Sequence, residues 1–180
     1  MTRLIRQISC TIALLCLLGT SACINNASTE PSTVTSSNGL CQLEIPEGWS
    51  ERSDLHDDAD IQVARTKEEM YIIVLSEYKA DFDDDFTLSD HSELTLQLFL
   101  ENLEDAQVQS GPVQIQVNGR PALQYEIRGV VDGIKIAYLH TTVDGEIAFH
   151  QVLAWTLPSK YEKNQSTLQS VIDTLSEGSG

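Results

Sequence analysis

The sequence is short of positive charge. Eleven Lys and Arg stand against 27 Asp and Glu in 180 residues, a formal net charge of −16. Nucleic-acid binding draws on basic side chains at phosphates, and adsorption to anionic lipid draws on basic clusters, so this balance excludes both. Cysteine is scarce: the sequence has only Cys10, Cys16, Cys23 and Cys41. No internal repeat recurs at a period of about 20–50 residues. GxSxG, HExxH, a P-loop and a dinucleotide fingerprint are all missing, and no serine stands in a recognisable nucleophile context with a His and an Asp. Neither an enzyme nor a cofactor is expected.

What is present begins with an export pattern. Residues 1–22 carry Arg3 and Arg6, then a short apolar core from Ile12 to Leu18, then the small residues Thr20, Ser21 and Ala22. A bilayer span takes about 20 apolar residues, so this core reads as a removed signal rather than an anchor. Loss of Arg3 and Arg6 leaves nine basic side chains against 27 acidic ones. Cys10 and Cys16 leave with the signal.

Cys23 has two readings. An ordinary signal peptidase could cut after Ala22 and leave Cys23 and Cys41 as a possible disulfide. Alternatively LLGTSAC resembles a bacterial lipobox, with Cys23 as the lipid-bearing N-terminus and Thr20 where leucine is usual. Two features favour the lipid. INNASTEPSTVTSSN (24–38) is polar and has little to bury, so 23–38 reads as a disordered tether. Cys41 alternates with Leu43 and Ile45, so on a strand it faces the core, out of reach of a flexible arm.

From residue 39 to 177 the patterning predicts one α+β domain. GLCQLEIP (39–46), DIQVART (60–66) and MYIIVLSEY (70–78) read as strands. A mid-chain helix follows, capped by Thr87 or Ser89, with Asp90 in its first turn and Leu96, Phe99, Leu100 and Leu103 as its apolar stripe. Residues 113–157 read as a meander. Two-residue turns at Asp132-Gly133 and Asp144-Gly145 set Val131 opposite Ile134, Ile127 opposite Tyr138 and His140 opposite Phe149. They also place Leu123, Tyr125, Ile127, Ile134, Ile136, Tyr138, Ile147, Phe149, Leu153 and Trp155 on one face. Val113 and Ile115 join that face if Asn118-Gly119 sits in a three-residue loop. Leu168, Val171, Ile172 and Leu175 stripe a C-terminal helix. The expected architecture is a single, mostly antiparallel sheet with both helices packed against it.

LEIPEGW, GRPALQYEIRG, the long hairpins after it and a C-terminal helix following AWTLP together resemble the PsbP-like fold family, which includes PsbP and DcrB-type bacterial lipoproteins. The resemblance spans almost all of residues 39–176. It implies a non-catalytic domain that binds or steadies another protein of unknown identity, with no catalytic residues to carry over. It also implies a photosystem II accessory role if the source is photosynthetic.

The densest acidic stretch is ADFDDDFTLSD (80–90). Asp81, Asp83 and Asp85 have the one-three-five spacing of a calcium loop, but Phe86 and Ser92 stand where an EF-hand needs glycine and a bidentate Glu. A looser calcium or manganese site across 81–93, with His56, Asp57 and Asp58, is the alternative function to weigh against a solvated loop at a helix N-terminus. His140 and His150 fall on opposite faces of the meander and cannot share a metal. Trp49 and Trp155 read as core residues rather than an exposed hot spot. The expected whole is an acidic, extracytoplasmic domain held to a bacterial membrane by a lipid on Cys23, on the periplasmic, lumenal or external side.

Overall fold

The computed structural model describes residues 28–178. The strands are β1 (Ser32–Thr35), β2 (Cys41–Ile45), β3 (Ser50–Glu51), β4 (Ile61–Arg65) and β5 (Met70–Tyr78). Helix α1 (Leu88–Glu101) then leads to β6 (Glu104–Val117), β7 (Arg120–Val131), β8 (Ile134–Asp144) and β9 (Ala148–Thr156). Helix α2 (Tyr161–Ile172) and β10 (Ser176–Glu177) complete the order. The chain is α+β and its strand pairs are antiparallel, with one helix mid-chain and one near the C-terminus.

Two sheets form where one was expected. Seven strands run β3-β4-β5-β9-β8-β7-β6, and β1, β2 and β10 make a separate three-stranded sheet. Part of the expected tether 23–38 belongs to this second sheet. Ser32–Thr35 pairs along β2, with Val34 its only buried residue. One inward side chain in a polar tetrapeptide is too weak a signal to read as a strand.

The large sheet is covered on both faces. On one, Leu96, Phe99, Leu100 and Leu103 of the α1 segment pack on Tyr125, Ile127, Ile136, Tyr138, Leu153 and Trp155. On the other, Leu168, Val171, Ile172 and Leu175 join Cys41, Leu43 and Ile45 of β2 over Val74, Ala137, Leu139, Val143, Val152 and Ala154. The second face is built mostly of alanine, threonine and valine, which is why the sequence displays only the first. Helix α1 begins at Thr87. Its hydroxyl accepts from the Asp90 N–H, and the Asp90 carboxylate accepts from the Thr87 N–H in return.

The meander follows the expected register at Asp132-Gly133, with Val131 opposite Ile134 and Ile127 opposite Tyr138. Two other turns differ. Asn118 and Gly119 both have positive φ, 47° and 78°, and Val117 pairs with Arg120, so this is a two-residue turn. Val113 and Ile115 therefore lie on the α2 side, where Ile115 packs at the core margin. At Asp144-Gly145 the loop is longer: Asp144 pairs with Phe149, and His140 with Leu153 rather than Phe149. A slip of four residues preserves the alternation, so Phe149, Leu153 and Trp155 keep their expected face. Ile134 and Ile147 instead sit exposed at loop ends.

The cause of that longer loop comes from the far end of the chain. The Glu177 carboxylate accepts from the backbone N–H groups of Glu146 (2.7 Å), Ile147 (2.9 Å) and Ala148 (3.3 Å). Burial raises its pKa, but these three donors outweigh burial and hold it below the usual carboxylate value. A Cβ on Gly145 would lie 2.6 Å from the Ala148 carbonyl oxygen and overlap the Glu177 carboxylate. Gly145→Ala is therefore expected to cost about 1–3 kcal/mol in urea unfolding. Combined with Glu177→Ala the losses should fall short of their sum, because one substitution removes the atoms the other strikes. Strict additivity would show that the two sites do not meet.

Strand β9 also buries polar groups. The Gln151 amide donates to His140 Nε2 at 2.9 Å, and burial lowers the His140 pKa to about 4. The folded state thus refuses a proton that the unfolded chain accepts near pH 6.5. Stability is whole above pH 6.5 and falls as pH drops towards 4, by about 3 kcal/mol from this group. Urea unfolding at pH 7 and pH 4 should show the loss, and replacing both partners (His140→Leu with Gln151→Leu) should reduce it. An unchanged pH dependence in the double variant would assign it to other groups.

Candidate functional site

The acidic segment is open to solvent. Asp81, Asp83, Asp84 and Asp85 are exposed, while Phe82 and Phe86 between them turn inward. Their rings stack at 4.5 Å and meet His91 and Phe149 edge to face. His91 stacks on Phe149 at 4.7 Å, and its Nε2 lies 2.9 Å from Glu77. The aromatic pair pins the segment and spreads the carboxylates outwards. His56 is buried, and its Nδ1 accepts from the Asp58 N–H at 3.1 Å. Among the described residues no three His, Cys, Asp or Glu side chains converge as a metal site would require. Asp81, Asp83 and Asp85 are thus not brought together with His56, Asp57 and Asp58.

A different set of chemical groups does meet, and sequence reasoning missed it. Cys41, Ser76, His150 and Glu177 form a row from β2, β5, β9 and β10. The Ser76 hydroxyl lies 3.5 Å from Cys41 Sγ and 2.9 Å from His150 Nδ1. His150 Nε2 is 3.7 Å from Glu177 Oε1, an ion-pair distance beyond hydrogen-bond reach. Asp60 accepts from the Ser76 N–H at 2.7 Å and steadies that end. The expected split of His140 and His150 onto opposite faces was the available clue, since it sends His150 towards β2. Four separate elements contribute, so no local spacing could reveal the row.

Nucleophile, imidazole and carboxylate in line make the constellation of acyl-transfer enzymes. Here the thiol and the imidazole are sealed, while Ser76 and Glu177 are half-buried. Cys41 is 0 % exposed and His150 1 %. Burial raises the Cys41 pKa and lowers that of His150, so both stay neutral. A substrate carbonyl has no approach to either reacting atom. The row joins Cys41 and His150 Nδ1 through the Ser76 hydroxyl between two sheets, and His150 Nε2 is left without a hydrogen bond.

Trp49 is fully buried, and Trp155 stacks on Tyr71 at 5.4 Å. Cys23 lies outside the described residues. Among the described residues the exposed large apolar side chains are Tyr78, Val108, Val113, Ile134 and Ile147. Among the described residues no helix is long and apolar enough to cross a membrane.

No protein-family profile and no curated protein matches the chain in sequence. Solved structures do match its shape. Cyanobacterial PsbP (CyanoP) from Synechocystis is similar at a TM-score of 0.59 and 13% identity, over 89% of this chain and 98% of that one. LpqN of Mycobacterium tuberculosis, described as involved in cell envelope biogenesis, is similar at 0.56 and 16% identity, over 83% of this chain and 91% of that one. The Ran-binding protein Mog1p of Saccharomyces cerevisiae is similar at 0.52 and 11% identity, over 83% and 96%. Identities this low speak to architecture alone. That architecture, two antiparallel sheets with a helix on either side of the larger, is the PsbP-like fold.

Proposed function

We propose that this chain is a non-catalytic accessory domain, lipid-anchored at Cys23 on the extracytoplasmic side of a bacterial membrane, that binds another protein. One observation carries the non-catalytic part. In the single meeting of thiol, hydroxyl, imidazole and carboxylate found among the described residues, the thiol and the imidazole are shut inside the core, with Cys41 0 % and His150 1 % exposed. The solved structures of similar shape add support, since one is described as Ran-binding and another as involved in cell envelope biogenesis.

The geometry suits an anchor. Ser28 exchanges backbone hydrogen bonds with Gly48 and Trp49, so five residue steps separate Cys23 from the fold. Five extended residues reach about 17 Å. An acyl chain on Cys23 would therefore keep the Trp49 end beside the bilayer. The exposed carboxylates of 81–85 follow Tyr78, at the opposite end of the nine-residue strand β5, roughly 27 Å away. Anionic headgroups and the densest acidic stretch are thus held apart.

The anchor is testable with Cys23→Ser. Wild-type protein should enter the detergent-rich phase on detergent phase partitioning, and the variant should remain in the aqueous phase. Wild-type protein in the aqueous phase with an unmodified N-terminus would overturn the anchor. Affinity purification from membranes with mass spectrometry should then return a protein partner. A saturable rise in melting temperature at micromolar calcium or manganese, lost in Asp83→Asn with Asp85→Asn, would instead favour cation binding.

A further inference from the structure

Strand β6 closes one side of the seven-stranded sheet, and among the described residues no strand pairs with its outer edge. It is exposed along most of its 14 residues. Natural edges of this length are blunted by charge, proline or bulges. The first half of β6 follows that rule, with register shifts at Glu104/Gln107, Val108/Ser110 and Ser110/Val113. The second half does not. Residues 113–117 pair regularly with β7, and residues 106–117 (AQVQSGPVQIQV) contain no charged side chain in a chain of net charge −16.

The turn shows which backbone groups are free. In a two-residue hairpin the flanking pair, here Val117 and Arg120, exchanges both hydrogen bonds. Ile115 and Val113 then also point their N–H and C=O groups at β7, and Gln114 and Gln116 point theirs outwards. Two prolines confirm the phase. Pro121 sits opposite Gln116, at a pair that exchanges no hydrogen bonds, and Pro112 lies in phase with Gln114, where an outward N–H would otherwise stand. The free edge is therefore bounded by Pro112 on one side and the Asn118-Gly119 turn on the other.

Within those bounds the sequence is Val-Gln-Ile-Gln-Val, identical in both directions. We propose that this edge is a self-association surface, on which a second copy of the chain pairs antiparallel about a two-fold axis at Ile115. Gln114 of each copy meets Gln116 of the other, and these are the residues with free backbone groups, so four hydrogen bonds close. Val113, 51 % exposed, is covered by the second copy's strand, and the two Ile115 side chains meet on the α2 side. The interface is isologous, as a two-fold requires. It also brings two polyanions together at their longest uncharged strand edge, so association strengthens as salt screens the rest.

Ile115 faces its own copy across a pair without hydrogen bonds, at a Cα separation of about 4.5 Å that a disulfide can span. The full-length chain carrying Ile115→Cys, in its membrane or in detergent, should form a covalent dimer under mild oxidation, several-fold more at high salt than low. Val108→Cys, more exposed but outside the window, should not. Because Ile115 touches the core margin, a mixture of Gln114→Cys and Gln116→Cys chains gives a second route to the same cross-link. Gln114→Lys with Gln116→Lys places lysines opposite lysines and should reduce the Ile115→Cys cross-link at least tenfold without changing the circular dichroism spectrum. Four results would overturn the proposal. These are folded protein that forms neither cross-link, equal cross-linking at Val108, indifference to the lysine pair, and an adduct with a different protein in place of the dimer.

Discussion

All nine residues of β9, from Ala148 to Thr156, are buried. A strand in that position needs cover on both faces, and the rest of the fold supplies it. Helix α1 lies over Leu153 and Trp155, while α2 and the small sheet lie over Val152 and Ala154. The same constraint governs the polar residues. Each one in β9 must find a partner inside the protein, because water is not available to it. His150 finds Ser76, Gln151 finds His140, and Thr156 accepts from Asn164 of α2 at 2.8 Å. A row that resembles catalytic machinery is thereby accounted for as the polar lining of a doubly covered strand.

The parts legible in the sequence are those whose cause is local. Asp132-Gly133 dictates its own hairpin, Thr87 and Asp90 cap their own helix, and the alternation of Cys41, Leu43 and Ile45 predicts three buried side chains, which they are. The large apolar side chains of the α1 face were visible for the same reason. What escaped depends on residues distant along the chain. The Asp144-Gly145 loop is lengthened by a carboxylate about 30 positions away, and the second sheet is completed by two residues of β10. The face under α2 escaped because its alanines and small valines stand out less than the aromatic residues of the other face, although they pack closely enough to let a helix and a second sheet approach.

For the candidate site the outcome divides in the same way. The carboxylates of 81–85 are prominent in the sequence, yet Phe82 and Phe86 turn inward and leave them exposed to solvent, and their spacing alone does not make a cage. The row of Cys41, Ser76, His150 and Glu177 was invisible because each member comes from a different strand. The free edge of β6 was equally hidden. Its VQIQV sequence is unremarkable until the two-residue turn fixes which backbone groups face outwards.

The small sheet joins the beginning of the fold to its end. Cys41 and Gln42 of β2 pair with Glu177 and Ser176, the last strand of the described chain. A ribosome delivers β2 long before β10, so an emerging chain can assemble hairpins in order but cannot close this sheet until Ser176 and Glu177 are free. The cover over Cys41 and His150, and the carboxylate that shapes the loop before β9, arrive together with β10. The fold stays open along this seam for as long as those two residues are held elsewhere.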